Sequence, residues 1–164
     1  MDGAAIVRVD PDEWATYRHV RLAALADAPE AFSSTLDGER TLDESTWRQR
    51  LGSADSFLAW RNEEPIGAVT ALAYDEGLDH GVTGAWQLVA MWVSPSARRL
   101  GVGRSLVETV LGHAKASGAP SVVLWVFEHN RGARAFYERL GFRTARLSSH
   151  RPGKPEQMLM ICDL

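Results

Sequence analysis

The sequence contains a single cysteine, Cys162, so no internal disulfide can form and a reducing, cytoplasmic setting is the default expectation. No apolar run approaches the roughly 18 residues of a membrane span, and the first residues do not join a basic stretch to an apolar one as a secretion signal does. An excess of basic residues is also missing: the formal net charge is -3, which argues against a general nucleic-acid binder. The five histidines are scattered without ligand spacing, so no metal site is expected. Internal repeats, low-complexity segments and linkers are lacking too, and residues 1–164 read as one domain.

What is present is a globular composition, 45% hydrophobic and 24% charged, with three arginines and two glycines gathered in one short stretch. Trp86-Gln87-Leu88-Val89-Ala90-Met91-Trp92-Val93 reads as a buried strand, stopped by Pro95, which has no N–H to give to a ladder. Arg98, Arg99, Leu100, Gly101, Val102, Gly103 and Arg104 follow. Apolar residues at helical spacing come next: Leu106, Val107, Val110, Leu111 and Ala114. Strand, glycine turn and helix in that order make an anion cradle. Glycines let backbone N–H groups close on a ligand, the helix N-terminus adds unpaired donors, and arginine forks suit phosphate oxygens. A dinucleotide fingerprint would need a third glycine where Leu106 stands, and a P-loop would need Gly-Lys-Ser/Thr. The remaining reading is a diphosphate-bearing ligand held at this turn.

Around this stretch strand and helix signals follow one another without strict alternation. Ile6–Val9 reads as a strand, and Asp10-Pro11-Asp12-Glu13 as a capping box opening a helix to about Ala26, with Trp14, Tyr17, Arg21, Leu22 and Leu25 on one face. Thr41-Leu42-Asp43-Glu44 reads as a second capping box, for a helix carrying Trp47 and Leu51 and ending at Gly52. Phe57–Trp60 and Ile66–Leu72 form a hairpin, and Asp75 to Gly84 a long loop. Ser121–Phe127 is a further strand. Asn130 caps a helix with Ala133, Phe136, Tyr137 and Leu140 on its apolar face, stopped by Gly141, and two strands end the chain. The order predicts an α/β domain with a mixed sheet rather than a doubly wound one. The apolar run Met158–Ile161 can either cover a neighbouring edge in a homodimer or complete the chain's own sheet.

Arg98-x-x-Gly101-x-Gly103 resembles motif A of the GNAT superfamily of acetyl-CoA-dependent N-acetyltransferases, Gln/Arg-x-x-Gly-x-Gly/Ala. Asn130-x-x-Ala133-x-x-Phe136-Tyr137-x-x-x-Gly141-Phe142 resembles its motif B, one helix and one strand later. The resemblance is close from Leu88 to Phe142; the flanks match in element order. It implies a mixed central sheet of six or seven strands with about four flanking helices, two of the strands splaying apart at the acetyl-CoA cleft.

By the same resemblance, Met91, Trp92 and Val93 would face the pantetheine arm, and Arg98, Arg99, Leu100, Gly101, Val102, Gly103, Arg104 and Ser105 the pyrophosphate. Asn130 would touch the CoA arm, and Tyr137 would lie near the acetyl sulfur as the catalytic residue. A phenol, with a reference pKa of about 10, can give a proton or hydrogen bond to a departing thiolate. The base is left open among Glu128, His129 and a water chain. The strand Trp86–Val93 carries no carboxylate, and Trp125 stands where relatives acting on ribosomal-protein N-termini have a glutamate. The implied partners are acetyl-CoA, or another short acyl-CoA, and a primary amine, with no nucleic acid or membrane. Phe32, Ser33, Ser34, Asp75, Glu76, Asp79 and His80 are candidates for the amine site. A non-catalytic acetyl-CoA-binding module is the alternative, and it would not need Tyr137.

Overall fold

A computed structural model describes residues 3–74, 82–149 and 155–164, without the side chains of 146–149. The chain divides into two compact units, 1–72 with 90–110, and 73–89 with 111–164. The acceptor-loop candidates Asp75, Glu76, Asp79 and His80 lie outside the described residues.

The first unit opens with β1 (Ala5–Arg8) and a 3-10 turn at Pro11–Glu13. The capping box forms as the sequence suggests. The Asp10 carboxylate accepts from the Asp12 N–H at 2.9 Å, and the Glu13 carboxylate accepts from the Asp10 N–H at 2.8 Å. Its first turn is 3-10, and α1 (Trp14–Asp27) starts behind it, burying Tyr17, Val20, Ala24 and Leu25. After a second 3-10 turn at Pro29–Ala31 comes α2 (Leu36–Arg40), a short helix that the sequence pattern does not announce.

The second capping box is displaced. Asp43, not Thr41, caps α3 (Glu44–Ser53), its Oδ1 accepting from the Thr46 N–H at 2.9 Å. The Thr41 hydroxyl donates instead to the Gly38 carbonyl at 2.9 Å and helps close α2. A carboxylate is the stronger acceptor for a helix N–H and favours the partially positive helix start, so the cap moves two residues on.

The strands β2 (Asp55–Arg61) and β3 (Glu64–Ala73) form the expected antiparallel hairpin, Phe57 opposite Val69 and Leu58 opposite Ala68, turning at Asn62 with φ 52°. Tyr17, Val20, Ala24, Trp47, Leu51, Leu58, Ala68 and Trp92 make one core cluster. The three helices are also tied by charge. Glu39 on α2, only 4% exposed, receives Arg21 of α1 at 2.8 Å and Arg50 of α3 at 3.0 Å. Burial pushes the Glu39 carboxyl up, and the two guanidinium groups outweigh it, holding the carboxyl below its ordinary value.

The second unit is built on β5 (Ser121–Phe127), α5 (Arg131–Arg139), β6 (Arg143–Ser149) and β7 (Gln157–Asp163). The start of β4 (Trp86–Val93) runs parallel to β5, Trp86 opposite Val122 and Gln87 opposite Val123. Along its other edge β5 pairs antiparallel with β7, from Ser121 opposite Asp163 to Phe127 opposite Gln157, and β6 pairs with the far side of β7. Met158–Ile161 therefore completes the chain's own sheet. Buried between two partners, this run cannot cover the edge of a second copy. Tyr74, Ala85, Val123, Leu159 and Ile161 form this unit's cluster, with Trp125 packed against it.

The seven-stranded sheet has the order β1-β2-β3-β4-β5-β7-β6 and is mixed, as predicted. The described residues hold five α-helices, against the four expected; α2 is the addition. No helix among the described residues is long and apolar enough to cross a membrane.

Candidate active site

The strand β4 loses its regular pleat at Ala90, whose φ is 55°. A left-handed residue with a Cβ costs about 1–2 kcal/mol, so such conformations survive where surrounding structure fixes them and cluster at functional sites. Met91, Trp92 and Val93 follow, and the chain leaves the strand with the Ser94 N–H held by the Ile66 carbonyl at 2.8 Å.

A 3-10 turn at Pro95–Ala97 leads to Arg98, then Arg99 at φ 64°, exposed Leu100, and Gly101 at φ 84°. Helix α4 (Val102–Ala116) starts at once, burying Val102, Leu106, Val107, Val110 and Ala114. Its first backbone bond runs from the Ser105 N–H to the Gly101 carbonyl at 3.1 Å, so the N–H groups of Val102, Gly103 and Arg104 precede the helix ladder. Gly101 holds the cap position and has no side-chain oxygen to spend on them. Left-handed residues just before a helix start turn N–H groups to one side, the shape of an anion nest.

The sequence pattern does not single out Gly67, which sets how closely this helix start lies on the strands. A Cβ there would meet the Trp92 carbonyl at 3.0 Å and a Leu106 methyl at 3.1 Å. A glycine inside a strand is the available signal for such close approach.

The three arginines divide their work. Arg98 donates Nε to the Val93 carbonyl at 3.0 Å and its Nη2 to Asp27, at the end of α1. The same Asp27 oxygen receives the Trp92 indole N–H at 2.9 Å. The Trp92 bond and the Arg98 charge hold the Asp27 carboxyl below the usual range, against the opposing effect of burial. Arg104 pairs with Glu108 one turn on, at 2.7 Å and well exposed. Such a pair is worth about 0.3–0.5 kcal/mol and is readily exchanged for an incoming anion. Nothing in the sequence points to Asp27, which lies far from Arg98 along the chain.

In the second unit the turn after β5 is built differently. Asn130 caps α5, its Oδ1 accepting from the Ala133 N–H at 3.1 Å, and its own N–H bonds the Phe127 carbonyl at 3.0 Å. The two base candidates flank it. The His129 ring stacks on Phe127, with centroids 5.6 Å apart and planes 18° apart. The Glu128 N–H donates to the Glu156 carbonyl at 2.9 Å. Glu128, His129, Arg131, Arg134 and Glu156 line an open polar cavity of about 470 Å³. Trp125 lies among the apolar residues of its unit, which accounts for a side chain other than a carboxylate at that position.

Tyr137 is 8% exposed, with Phe136 and Phe142 edge-on at 5.1 and 5.6 Å. Burial pushes its phenol above its ordinary value of 10, so it holds its proton at neutral pH and can give a proton or hydrogen bond but does not act as a phenolate base. Among the acceptor candidates, Phe32 carries the Arg21 guanidinium over its ring at 4.8 Å, and Ser34 is half-buried beside exposed Ser33. The described residues hold no group of three or more side chains able to bind a metal ion.

A family model described as Acetyltransferase (GNAT) family matches residues 14–142. Mycothiol acetyltransferase of Geodermatophilus obscurus is 32% identical over 135 residues, 82% of this chain and 42% of that protein. Mycothiol acetyltransferase of Thermomonospora curvata is 35% identical over 143 residues, 86% of this chain and 44% of that protein. The chain thus spans less than half the length of these curated relatives. Among solved structures, a GNAT-family acetyltransferase from Streptococcus pneumoniae is similar with TM-score 0.79 and 21% identity, covering 98% of this chain and 99% of that one. The yncA protein of Salmonella typhimurium, solved with acetyl-CoA, gives 0.75 and 17%, covering 99% and 95%. With the family model spanning both the β4–α4 turn and the α5 motif, the chain belongs to the GNAT family of acetyltransferases.

Proposed function

We propose that the chain transfers an acetyl group from acetyl-CoA directly to a primary amine. The observation that carries this is the β4–α4 turn, where left-handed Arg99 and Gly101 precede three helix N–H groups outside the ladder. That geometry fits a diphosphate: the donors are main-chain, the cap residue is glycine, and the adjacent Arg104 is tied only by a weak exposed pair. Met91, Trp92 and Val93 would hold the pantetheine arm through their backbone, the turn from Arg99 to Ser105 the pyrophosphate with Arg98 at its entry, and Asn130 the CoA arm.

Acetyl-CoA supplies the acetyl group as a thioester. Tyr137 would give its proton, or a hydrogen bond, to the sulfur as the carbon–sulfur bond breaks and the amine nitrogen bonds the carbonyl carbon. Its burial-raised pKa keeps that proton in place until then. The ammonium first gives one proton to Glu128, His129 or water and attacks as the free amine. The second nitrogen proton, lost as the amide forms, restores the Tyr137 phenol. The polar cavity lined by Glu128 and His129 keeps both bases in play. Tyr137 favours this reading over a non-catalytic acetyl-CoA-binding module, which needs no buried proton donor. The reaction belongs in the cytoplasm, where the free thiol of buried Cys162 stays reduced.

The names of the curated relatives, mycothiol acetyltransferases, put small-molecule amines first in a substrate panel. The test is calorimetry with acetyl-CoA, then CoA release across the panel for wild type and Tyr137→Phe. Binding with turnover that the variant loses supports the proposal. Binding without turnover on any amine supports the module, and no binding sinks both.

A further inference from the structure

The sequence motif places Arg98 among the phosphate contacts, and the structure turns its side chain elsewhere. Its Nε reaches back to the Val93 carbonyl at 3.0 Å, and its Nη2 lies on Asp27 Oδ2, the same oxygen that receives the Trp92 indole at 2.9 Å. Val93, Arg98, Asp27 and Trp92 thereby close a ring joining the end of α1, the end of β4 and the entry to the turn. Trp92 is buried and the Asp27 side chain is one-quarter exposed, so this ring is anchored on its core side. The residue immediately after Arg98 is the left-handed Arg99. A strained backbone of this kind persists only where its surroundings over-determine it, and the ring fixes the residue before it in place.

We propose that Asp27 is a positioning residue for the anion-binding turn, and that it holds Arg98 as a strut rather than leaving it free as a phosphate ligand. The ligand's oxygens then fall to the backbone N–H groups from Arg99 onward, to Arg104 and to exposed Arg99. The idea rests on the acetyl-CoA reading above and adds to it a residue outside both motifs.

The two roles of Arg98 predict opposite effects at Asp27. If Arg98 binds phosphate directly, Asp27 competes for it, and Asp27→Asn tightens acetyl-CoA binding. If Arg98 is a strut, Asp27→Asn weakens acetyl-CoA binding by about tenfold, the scale of one charge-assisted hydrogen bond, while kcat at saturation changes little. Arg98→Lys separates them again. A point charge suffices for a phosphate contact, but an ammonium lacks the fork that spans the Val93 carbonyl and Asp27 together.

The experiment is acetyl-CoA calorimetry and steady-state kinetics on wild type, Asp27→Asn, Arg98→Lys and the double variant, with the Trp92 indole N–H resonance as a local probe. Expected are weaker binding in both single variants, a double variant no weaker than the worse of them, and a shifted Trp92 signal in Asp27→Asn. Asp27→Glu, which keeps the charge, should recover part of the affinity. Unchanged or tighter binding in Asp27→Asn overturns the role of Asp27. If Asp27→Asn fails to fold, Arg98→Lys decides, and wild-type affinity there overturns it equally. Wild type failing to bind acetyl-CoA overturns the functional proposal instead, so the two failures are distinct.

Discussion

Two strand-to-helix turns in this chain, one in each unit, solve the same local problem in opposite ways. After β5, Asn130 caps α5 with its own side chain and satisfies the Ala133 N–H internally. After β4, Gly101 occupies the equivalent position, its carbonyl accepting the first helix bond as the Asn130 carbonyl does for Arg134. A glycine has no side-chain oxygen to offer, and the N–H groups of Val102, Gly103 and Arg104 stay outside the helix ladder. Local stability favours the first arrangement, since a side-chain cap is worth about 1 kcal/mol. The second gives up that stability and places two left-handed residues beside the open donors. The difference separates a turn that closes its helix with its own side chain from one whose first donors stay outside the ladder, as the proposed anion site requires.

The largest expected effect lies near the capped turn. Tyr137→Phe removes the donor and keeps the ring packing against Phe136 and Phe142, so kcat should fall by roughly 100-fold or more with little change in acetyl-CoA affinity. Stopped-assay CoA release and calorimetry on the same preparation check both halves. At the open turn, Gly101→Val imposes a branched side chain at φ 84° and should weaken acetyl-CoA binding by about tenfold through backbone strain alone. An unchanged affinity would mean that the turn's conformation is incidental.

A smaller effect separates the observed cap of Asn130 from its proposed contact with the CoA arm. Asn130→Ala should cost about 1 kcal/mol of stability as a lost cap. Asn130→Asp keeps the accepting oxygen and loses the amide N–H groups. Its melting temperature should stay near wild type while its acetyl-CoA affinity drops several-fold, the loss expected for one hydrogen bond. Thermal melts beside calorimetry tell the cap from the ligand contact.

The smallest contrast at neutral pH emerges in acid. The Glu39 carboxyl is held below its ordinary value of 4.5 by Arg21 and Arg50, so its contribution to stability is full above that value and is lost as pH falls through the lowered one. Tyr137 is shifted upward and keeps its proton throughout that range. Melting temperature should therefore decline below about pH 4.5, and Glu39→Gln should flatten that decline.

The parts of this molecule legible in the sequence were those encoded by neighbours along the chain. The Asp10 capping box, the Ser121–Phe127 strand, the Asn130 cap and the glycine turn all arise from residues a few positions apart, and each appears as read. The cap lies two residues beyond Thr41 because Thr41 and Asp43 both suit the position and the carboxylate, the stronger acceptor at a helix start, takes it. The short α2 escaped because its five residues include Gly38 and carry no apolar period; Glu39 stabilises it through distant arginines. At the candidate site the main-chain donors were legible. The partners of Arg98 were not, since Asp27 reaches it only through the fold, and neither was the close approach at Gly67.

The position of β7 has a consequence for how the chain acquires its structure. These residues come after β5 and β6 in the sequence, yet they lie between them in the sheet, bonded to both. During synthesis, β5 and β6 therefore emerge without their common neighbour, each showing an unpaired edge until residues 157–163 are made. Docking of that strand adds a near-local pairing with β6 and a more distant one with β5, and the more distant pairing is the slower kind to form. Until it docks, the half-made sheet of the second unit presents unpaired strand edges of the kind that invite aggregation, whereas the β1–β2–β3 ladder of the first unit can close before any of β5, β6 or β7 is made.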